Sequence, residues 1–203
     1  FNALGFRVSL SPVSTRQIYE YGIDSIPSES ECYPAKLAHG HVQWLIDHGI
    51  HRIFYPSVPY ERNEFEDANN HYNCPIVTSY SENIKNNVEE ISRGEVSLRN
   101  PFMSFRDLKT ISEALAGEFP ELPVTEVMEA ARLGFEELAK ARKDMQKKGE
   151  EVLAYLQQSG KRGIVLAGRP YHIDPEIHHG IPELITSYGI AVLTEDSISH
   201  LGC

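Results

Sequence analysis

The sequence predicts an α/β fold, with open parallel sheets carrying helices on both faces. Three observations predict it. Short apolar runs alternate with helical patterns, β-α-β-α early in the chain and β-α-β at its end. A long stretch between them carries a continuous helical stripe of apolar residues. The composition is that of a soluble globular chain: 203 residues, 41% hydrophobic and 24% charged. Such a length suffices for one substantial α/β domain or two small ones.

Each element has its own local reason. Residues 5–10, Gly-Phe-Arg-Val-Ser-Leu, read as a first strand. Ser14 and Thr15 cap a short helix that runs to about Tyr21, and Gly22 ends it. Pro34 opens the next helix; Leu37, His41, Trp44, Leu45 and His48 give it mixed three- and four-residue spacing. Gly49 closes it. Arg52 to Tyr55 form a strand stopped by Pro56. The polar segment Tyr60 to Asn73 has room for a turn or two of helix. Ile76 to Ser79 read as a further strand, after which Ser81 caps a helix to about Val88. Residues 92–106 read as irregular, and 107–118 as a helix.

Pro123 opens the longest helical signal, which runs to about Gln158 through Val127, Ala131, Phe135, Leu138, Met145, Val152 and Leu156. Gly160 closes it. Gly163 to Ala167 is a short apolar run of the buried parallel-strand type. Residues 175–187 read as helix and 189–193 as strand. The organisation expected is therefore a first Rossmann-like α/β lobe over residues 1–106, a helical connection over 107–160, and the start of a second, truncated lobe over 161–203. The chain has no initiator Met and stops soon after its last strand, so it reads as a piece of a longer polypeptide.

Charge and cysteine usage exclude several classes. The formal net charge is −10, which argues against a nucleic-acid partner. Lys140, Arg142, Lys143, Lys147 and Lys148 cluster, but Glu136, Glu137 and Asp144 are mixed among them, as on a solvated helix face. No stretch is apolar for long enough to span a membrane, and no signal peptide is present. Three cysteines, Cys32, Cys74 and Cys203, do not make a disulfide scaffold, so a reducing cytoplasm is the expected location.

Ligands of open parallel sheets gather at the carboxyl edge of the strands, so the segments after strands hold the candidates. Cys32 lies at a helix N-terminus, where backbone N–H groups and the helix dipole favour a thiolate. The bland alternative is a small buried hydrophobe, and spacing alone favours it. Cys74-Pro75 lies beside the strand read at 76–79. In a parallel sheet that placement puts Cys74 on the edge opposite Cys32, and it is structural as readily as functional. Gly168, Arg169, Tyr171 and His172 follow the buried strand read at 163–167. Gly168 allows close backbone approach, and Arg169 suits a phosphate or carboxylate. Asp174 caps the helix expected from Pro175. Nucleotide-binding, hydrolase and ferredoxin motifs are absent. A four-ligand zinc site from Cys32, Cys74, His71 and His39 or His41 is a further arrangement that the spacing does not favour.

Three runs carry a resemblance: Asp24 to His41 around Cys32, Asn73 to Tyr80 around Cys74, and Gly168 to His172. Together they resemble the large CoA-substrate-specific enzyme activases, the activators of 2-hydroxyglutaryl-CoA dehydratase. In that family an ATPase module precedes a region related to the dehydratase subunits. This chain is similar to that dehydratase-like region and lacks the ATPase phosphate-binding motifs. The resemblance implies a cytoplasmic electron-transfer role in anaerobic metabolism. A [4Fe-4S] cluster would receive a low-potential electron driven by ATP, and a 2-hydroxyacyl-CoA would be dehydrated through a ketyl radical. It implies Cys32 and Cys74 as cluster ligands, with Cys203 as a third candidate. It also implies the ATPase module or a dehydratase as partner; Arg169, Tyr171 and His172 would shape the cleft or meet a phosphate-bearing ligand, and an acyl-CoA held through Gly168 and Arg169 is a third reading. Relatives often carry a further cysteine where this chain has Ser57. Two thiolates alone are too few for a [4Fe-4S] cluster. The alternative reading is a structural or regulatory docking domain without a cluster.

Overall fold

The computed structural model describes residues 1–63 and 69–202, and divides into two compact units, Phe1–Leu133 and Gly134–Cys203. In the first unit, a 3₁₀ turn at Asn2–Leu4 is followed by α1 (Arg16–Gly22), a second 3₁₀ turn at Ile23–Ser25 and α2 (Tyr33–Asp47). Strands β1 (Arg52–Phe54) and β2 (Ser57–Tyr60) come next, then α3 (Pro75–Asn87) and α4 (Glu89–Ser92). β3 (Ser97–Arg99), β4 (Phe102–Ser104) and α5 (Leu108–Glu118) follow, and α6 (Val124–Ser159) runs on from this unit into the second. There, β5 (Gly163–Leu166), a 3₁₀ turn at Pro170–Ile173, α7 (Ile181–Ser187), β6 (Ala191–Thr194) and α8 (Glu195–Ile198) complete the order, with a last 3₁₀ turn at Ser199–Leu201.

Among the described residues all the strand pairs are parallel, as expected, but they form two-stranded ribbons and not the open sheets expected. β1 pairs with β3, β2 with β4, and β5 with β6. The break between the first two pairs has a simple cause. Tyr55 N–H donates to the Arg99 carbonyl and Ser57 N–H to the Pro101 carbonyl, each at 2.9 Å. Between these bonds Pro101 has no N–H to give the Tyr55 carbonyl, and Pro56, at the same level on the other strand, has none to offer along the ribbon's outer edge. One parallel ribbon is thereby cut into two short lengths, with α3 and α4 as its crossover. The second half of the ribbon, β3 and β4, falls inside residues 92–106, read as irregular. Its runs are three residues long and interrupted by Asn100-Pro101, too short for period-2 patterning to register.

Three further expectations are corrected. Residues 5–10 form no strand: Phe6 packs edge-on against Phe1 and Phe119, in a cluster that includes Phe54. Residues 76–79 are helical, not extended, and belong to α3. Pro75 occupies the first turn, where no N–H is needed, and Thr78 donates both its N–H and its hydroxyl to the Cys74 carbonyl. The helix sends Ile84 and Val88 into the core, while Ile76 stays exposed. Ser81 therefore lies inside the helix and does not cap it. The helix expected over 175–187 is confined to α7. Asp174 accepts from the N–H groups of Glu176 and Ile177, but what it caps is a turn. The turn or two of helix considered within Tyr60–Asn73 falls partly on residues 64–68, which lie outside the described residues.

The core of the first unit joins Val42 of α2, Ile53 of β1, Ile84 of α3, Ile91 of α4, and Val88 and Val96. Against it, α1 packs on α2 at unusually close range. A Cβ built on Gly22 would overlap the backbone of Gly40, and one built on Gly40 would overlap the carbonyl of Ile18. Gly22 has φ −92°, so it is required here for closeness, not for a left-handed turn. Thr15 caps α1 through Ile18 N–H. Asp107 caps α5; the Thr110 N–H, helped by Arg106, pulls its carboxyl down to about 2. In the second unit, Gly149 of α6 lies against the backbone of Ser197 in α8, and Glu150 meets His200 at 2.8 Å. β5 is parallel to β6 as expected but is not buried: Ile164 and Val165 are 41% and 44% exposed. No described helix is long and apolar enough to cross a membrane.

The close approach of α1 and α2 predicts that Gly40→Ala costs about 1–3 kcal/mol in urea unfolding, because the methyl must displace backbone. Gly134→Ala, where nothing lies within 4 Å, should instead stabilise by about 0.5–1 kcal/mol through helix propensity. Equal effects at the two sites would refute the packing argument. A second expectation concerns acid. His39 is buried and accepts no ready protonation, because burial holds its pKa below the ordinary 6.5. The unfolded chain takes up the proton that the folded chain refuses. Stability is therefore full above pH 6.5 and declines as pH falls below it. Urea midpoints between pH 7.5 and 5 should show that decline, and His39→Gln should reduce it.

Candidate functional site

The two cysteine motifs have the same local construction. Cys32 is the N-cap of α2 with Pro34 in its first turn, and Cys74 is the N-cap of α3 followed by Pro75. In each, the backbone is extended at the cap (φ −66°, ψ 150° and φ −55°, ψ 136°), and the side chain makes no capping bond. The cap carbonyls start the helices: Ala35 N–H donates to Cys32 at 3.0 Å and Thr78 N–H to Cys74 at 3.0 Å. Both thiols are free and exposed. Exposure decides against the small-buried-hydrophobe reading of Cys32. Because α3 is a helix, Cys74 does not precede a strand, and the argument for opposite sheet edges no longer applies.

Side chains of α3 hold the first motif. Tyr80 places its hydroxyl 3.9 Å from the Cys32 sulfur, and Asn83 donates to a Glu31 carboxylate oxygen at 2.8 Å. The other Glu31 oxygen is buried and has no hydrogen-bond partner among the described residues. Lys36 donates to the Glu29 carbonyl at 2.7 Å and pins the loop from its other side. The second motif is tied to the ribbon. Asn73 donates through its side chain to the Val58 carbonyl at 2.8 Å and through its backbone to the Pro59 carbonyl at 3.0 Å. The supporting residues Glu31, Asn73, Tyr80 and Asn83 were not singled out from the sequence. Tyr80 and Asn83 lie three apart, a spacing that shares a face only in a helix, and the strand reading of 76–79 hid it.

The histidine candidates of the first unit have partners of their own. His39 bonds Ser25 at 2.9 Å, and His41 bonds Ser14 at 3.0 Å. Ser25 gives its hydroxyl proton to the Gly22 carbonyl, so it accepts from Nδ1–H of a neutral His39. His71 stands edge-on to Tyr60. The zinc arrangement is accordingly not formed: among the described residues no three His, Cys, Asp or Glu gather as metal ligands. Cys203 lies outside the described residues. Gly168 and Arg169 follow β5 at its carboxyl end, and Tyr171 and His172 fall in the 3₁₀ turn of the second unit.

The donor set can be tested against a [4Fe-4S] cluster, which takes four thiolates. The described residues supply two. Ser57 offers no third, because its side chain points inward: it is 1% exposed and shares a 2.6 Å hydrogen bond with Ser81 of α3. A cluster held by the described residues alone does not fit. The geometry at Ser57 predicts that a Ser57→Cys thiol stays inert to iodoacetamide in the native protein, while Cys32 and Cys74 are alkylated. Rapid modification of all three, followed by mass spectrometry, would contradict the inward placement.

The expectation drawn from the three motifs can be compared with known proteins. No curated protein and no solved structure matches the chain. A family model described as the CoA enzyme activase uncharacterised domain matches residues 1–198, almost the whole chain. The chain, with its paired helix-capping cysteines, belongs to the CoA enzyme activase uncharacterised domain family.

Proposed function

We propose that this domain is the dehydratase-like module of an ATP-dependent 2-hydroxyacyl-CoA dehydratase activator. In this reading it contributes Cys32 and Cys74 to an iron–sulfur site completed by donors outside the described residues. One observation carries the reading. Two exposed thiols cap two long helices, each uncommitted to any capping bond, and α3 reaches across to hold the loop of the first. Exposed cysteines so placed can meet a partner's ligand set without unfolding anything. When bound, a [4Fe-4S] cluster would supply a low-potential electron store. The chain itself orients the thiols and fixes the loops that bear them.

The donor count favours a second reading. With Ser57 turned into the core and only two thiols presented, the domain also suits docking of the ATPase module or a dehydratase, with no cluster of its own. Anaerobic reconstitution with ferrous iron and sulfide separates the two. The chain is examined alone and mixed with the activator's ATPase module, by visible absorption and by EPR after reduction. A broad charge-transfer band that disappears in both Cys32→Ala and Cys74→Ala is the expected result. A band that outlasts either substitution removes that cysteine from the ligand set. No band and no bound iron in either mixture leaves the docking role in place of the cluster.

A further inference from the structure

Among the described residues, His179 is the one non-glycine residue with a left-handed backbone, at φ 51°. Gly180 follows it at φ 73° and is the N-cap of α7. Glycine takes this conformation freely, but His179 is strained in it, so its surroundings must hold the turn. The ring of His178 does so. Its Nδ1 accepts the Gly180 N–H at 3.0 Å, the i to i+2 closure that an asparagine side chain makes in an Asx turn. The backbone on either side is anchored. His178 N–H donates to the Asp174 carbonyl, Ile181 N–H to the His178 carbonyl, and Leu184 N–H to the Gly180 carbonyl. Beyond this turn α7 packs on β6.

A ring nitrogen that accepts a hydrogen bond carries no proton, so in this arrangement His178 is neutral, with its proton on Nε2. The same Nδ1 atom has a second neighbour. The Glu183 carboxylate, in the first turn of α7, lies 3.8 Å from it. Two acceptors do not bond, so Glu183 has no hold on the neutral ring. One proton on Nδ1, taken from water, reverses both relations. The ring then accepts nothing from Gly180, and it becomes a charged donor to Glu183. The His178 side chain is 10% exposed and that of Glu183 69%, so the carboxylate is the partner with room to close the gap. The other ionisable groups of this segment are Arg169, Tyr171, Asp174, Glu176 and His179, and β6 carries none. Asp174 turns its carboxylate to the N–H groups of Glu176 and Ile177. Among the described residues, the ring forms its ion pair with Glu183. We propose that His178 is a proton-operated latch. Neutral, it closes the left-handed turn that starts α7; protonated, it releases Gly180 and pairs with Glu183, and the turn relaxes.

NMR of the 203-residue chain tests this between about pH 8 and about pH 6, the span in which imidazoles change charge. At the upper end a long-range proton–nitrogen spectrum should show the Nε2–H form of His178. Towards the lower end the exchange protection of the Gly180 amide should fall about tenfold, while amides of β6 keep theirs. His178→Asn retains the i to i+2 bond on an atom that does not titrate, so its Gly180 protection should be independent of pH. Glu183→Gln removes the acid-side partner, so release should need a lower pH. An Nδ1–H form at the upper end overturns the proposal. So does Gly180 protection that stays constant across the span, a pH dependence that survives in His178→Asn, or release at an unmoved pH in Glu183→Gln.

Discussion

Two helices can lie backbone to backbone only where neither carries a side chain at the point of contact. Gly22 and Gly40 provide that point, and much of the first unit is arranged around it. With α1 pressed on α2, Ser14 and Ser25 come within reach of His41 and His39, and each histidine finds a polar partner there. The apolar side of α2 is then free to face Ile53, Ile84 and Val88. The loop between the two helices ends at Cys32, which caps α2 with its thiol on the surface. A methyl group at either glycine would push on backbone rather than on a movable side chain, which is why the contact has so little tolerance.

The site depends on α3 in a comparable way. This one helix lends Ile84 to the core, Ser81 to Ser57, Asn83 to Glu31 and Tyr80 to Cys32, and presents Cys74 at its start. Core packing, ribbon support and thiol placement are thereby carried by successive faces of a single element. Hydrogen bonds from residues anchored elsewhere hold both cysteine motifs. Placement of this type suits thiols that meet a ligand or partner arriving from outside, because the surfaces around them need not rearrange.

The sequence was most legible where local chemistry acts alone. Thr15, Asp107, Pro34 and Gly160 mark helix ends that are found within a residue or two of where they were expected. The three motifs were also enough to bring the family into view. Legibility failed where a distant partner decides. Ile76-Val77-Thr78 has strand composition, and only the core demand on Ile84 and Val88, together with Pro75, makes it helix. The apolar character of Gly163 to Ala167 suggested burial, but apolar composition does not say what covers a strand. Phe6 looked like part of a strand because aromatic clustering with Phe1, Phe54 and Phe119 leaves no trace in periodicity. For the site, the cysteines were visible from their flanking prolines, whereas Tyr80 and Asn83 depended on the helix that was missed.

The pair of prolines at Pro56 and Pro101 has an effect beyond interrupting a ladder. A parallel ribbon of two strands has two outer edges, and an uninterrupted edge is a template on which another extended chain can grow; along β2, part of that edge is already met by His71 to Asn73, which pair with Pro59 and Glu61. Here every usable length is only three or four residues before a missing donor ends it. A stray strand gains too few hydrogen bonds to stay. The same two residues that divide the ribbon thus act as guards against fibrous aggregation, a protection that a protein with so many exposed apolar side chains has particular use for.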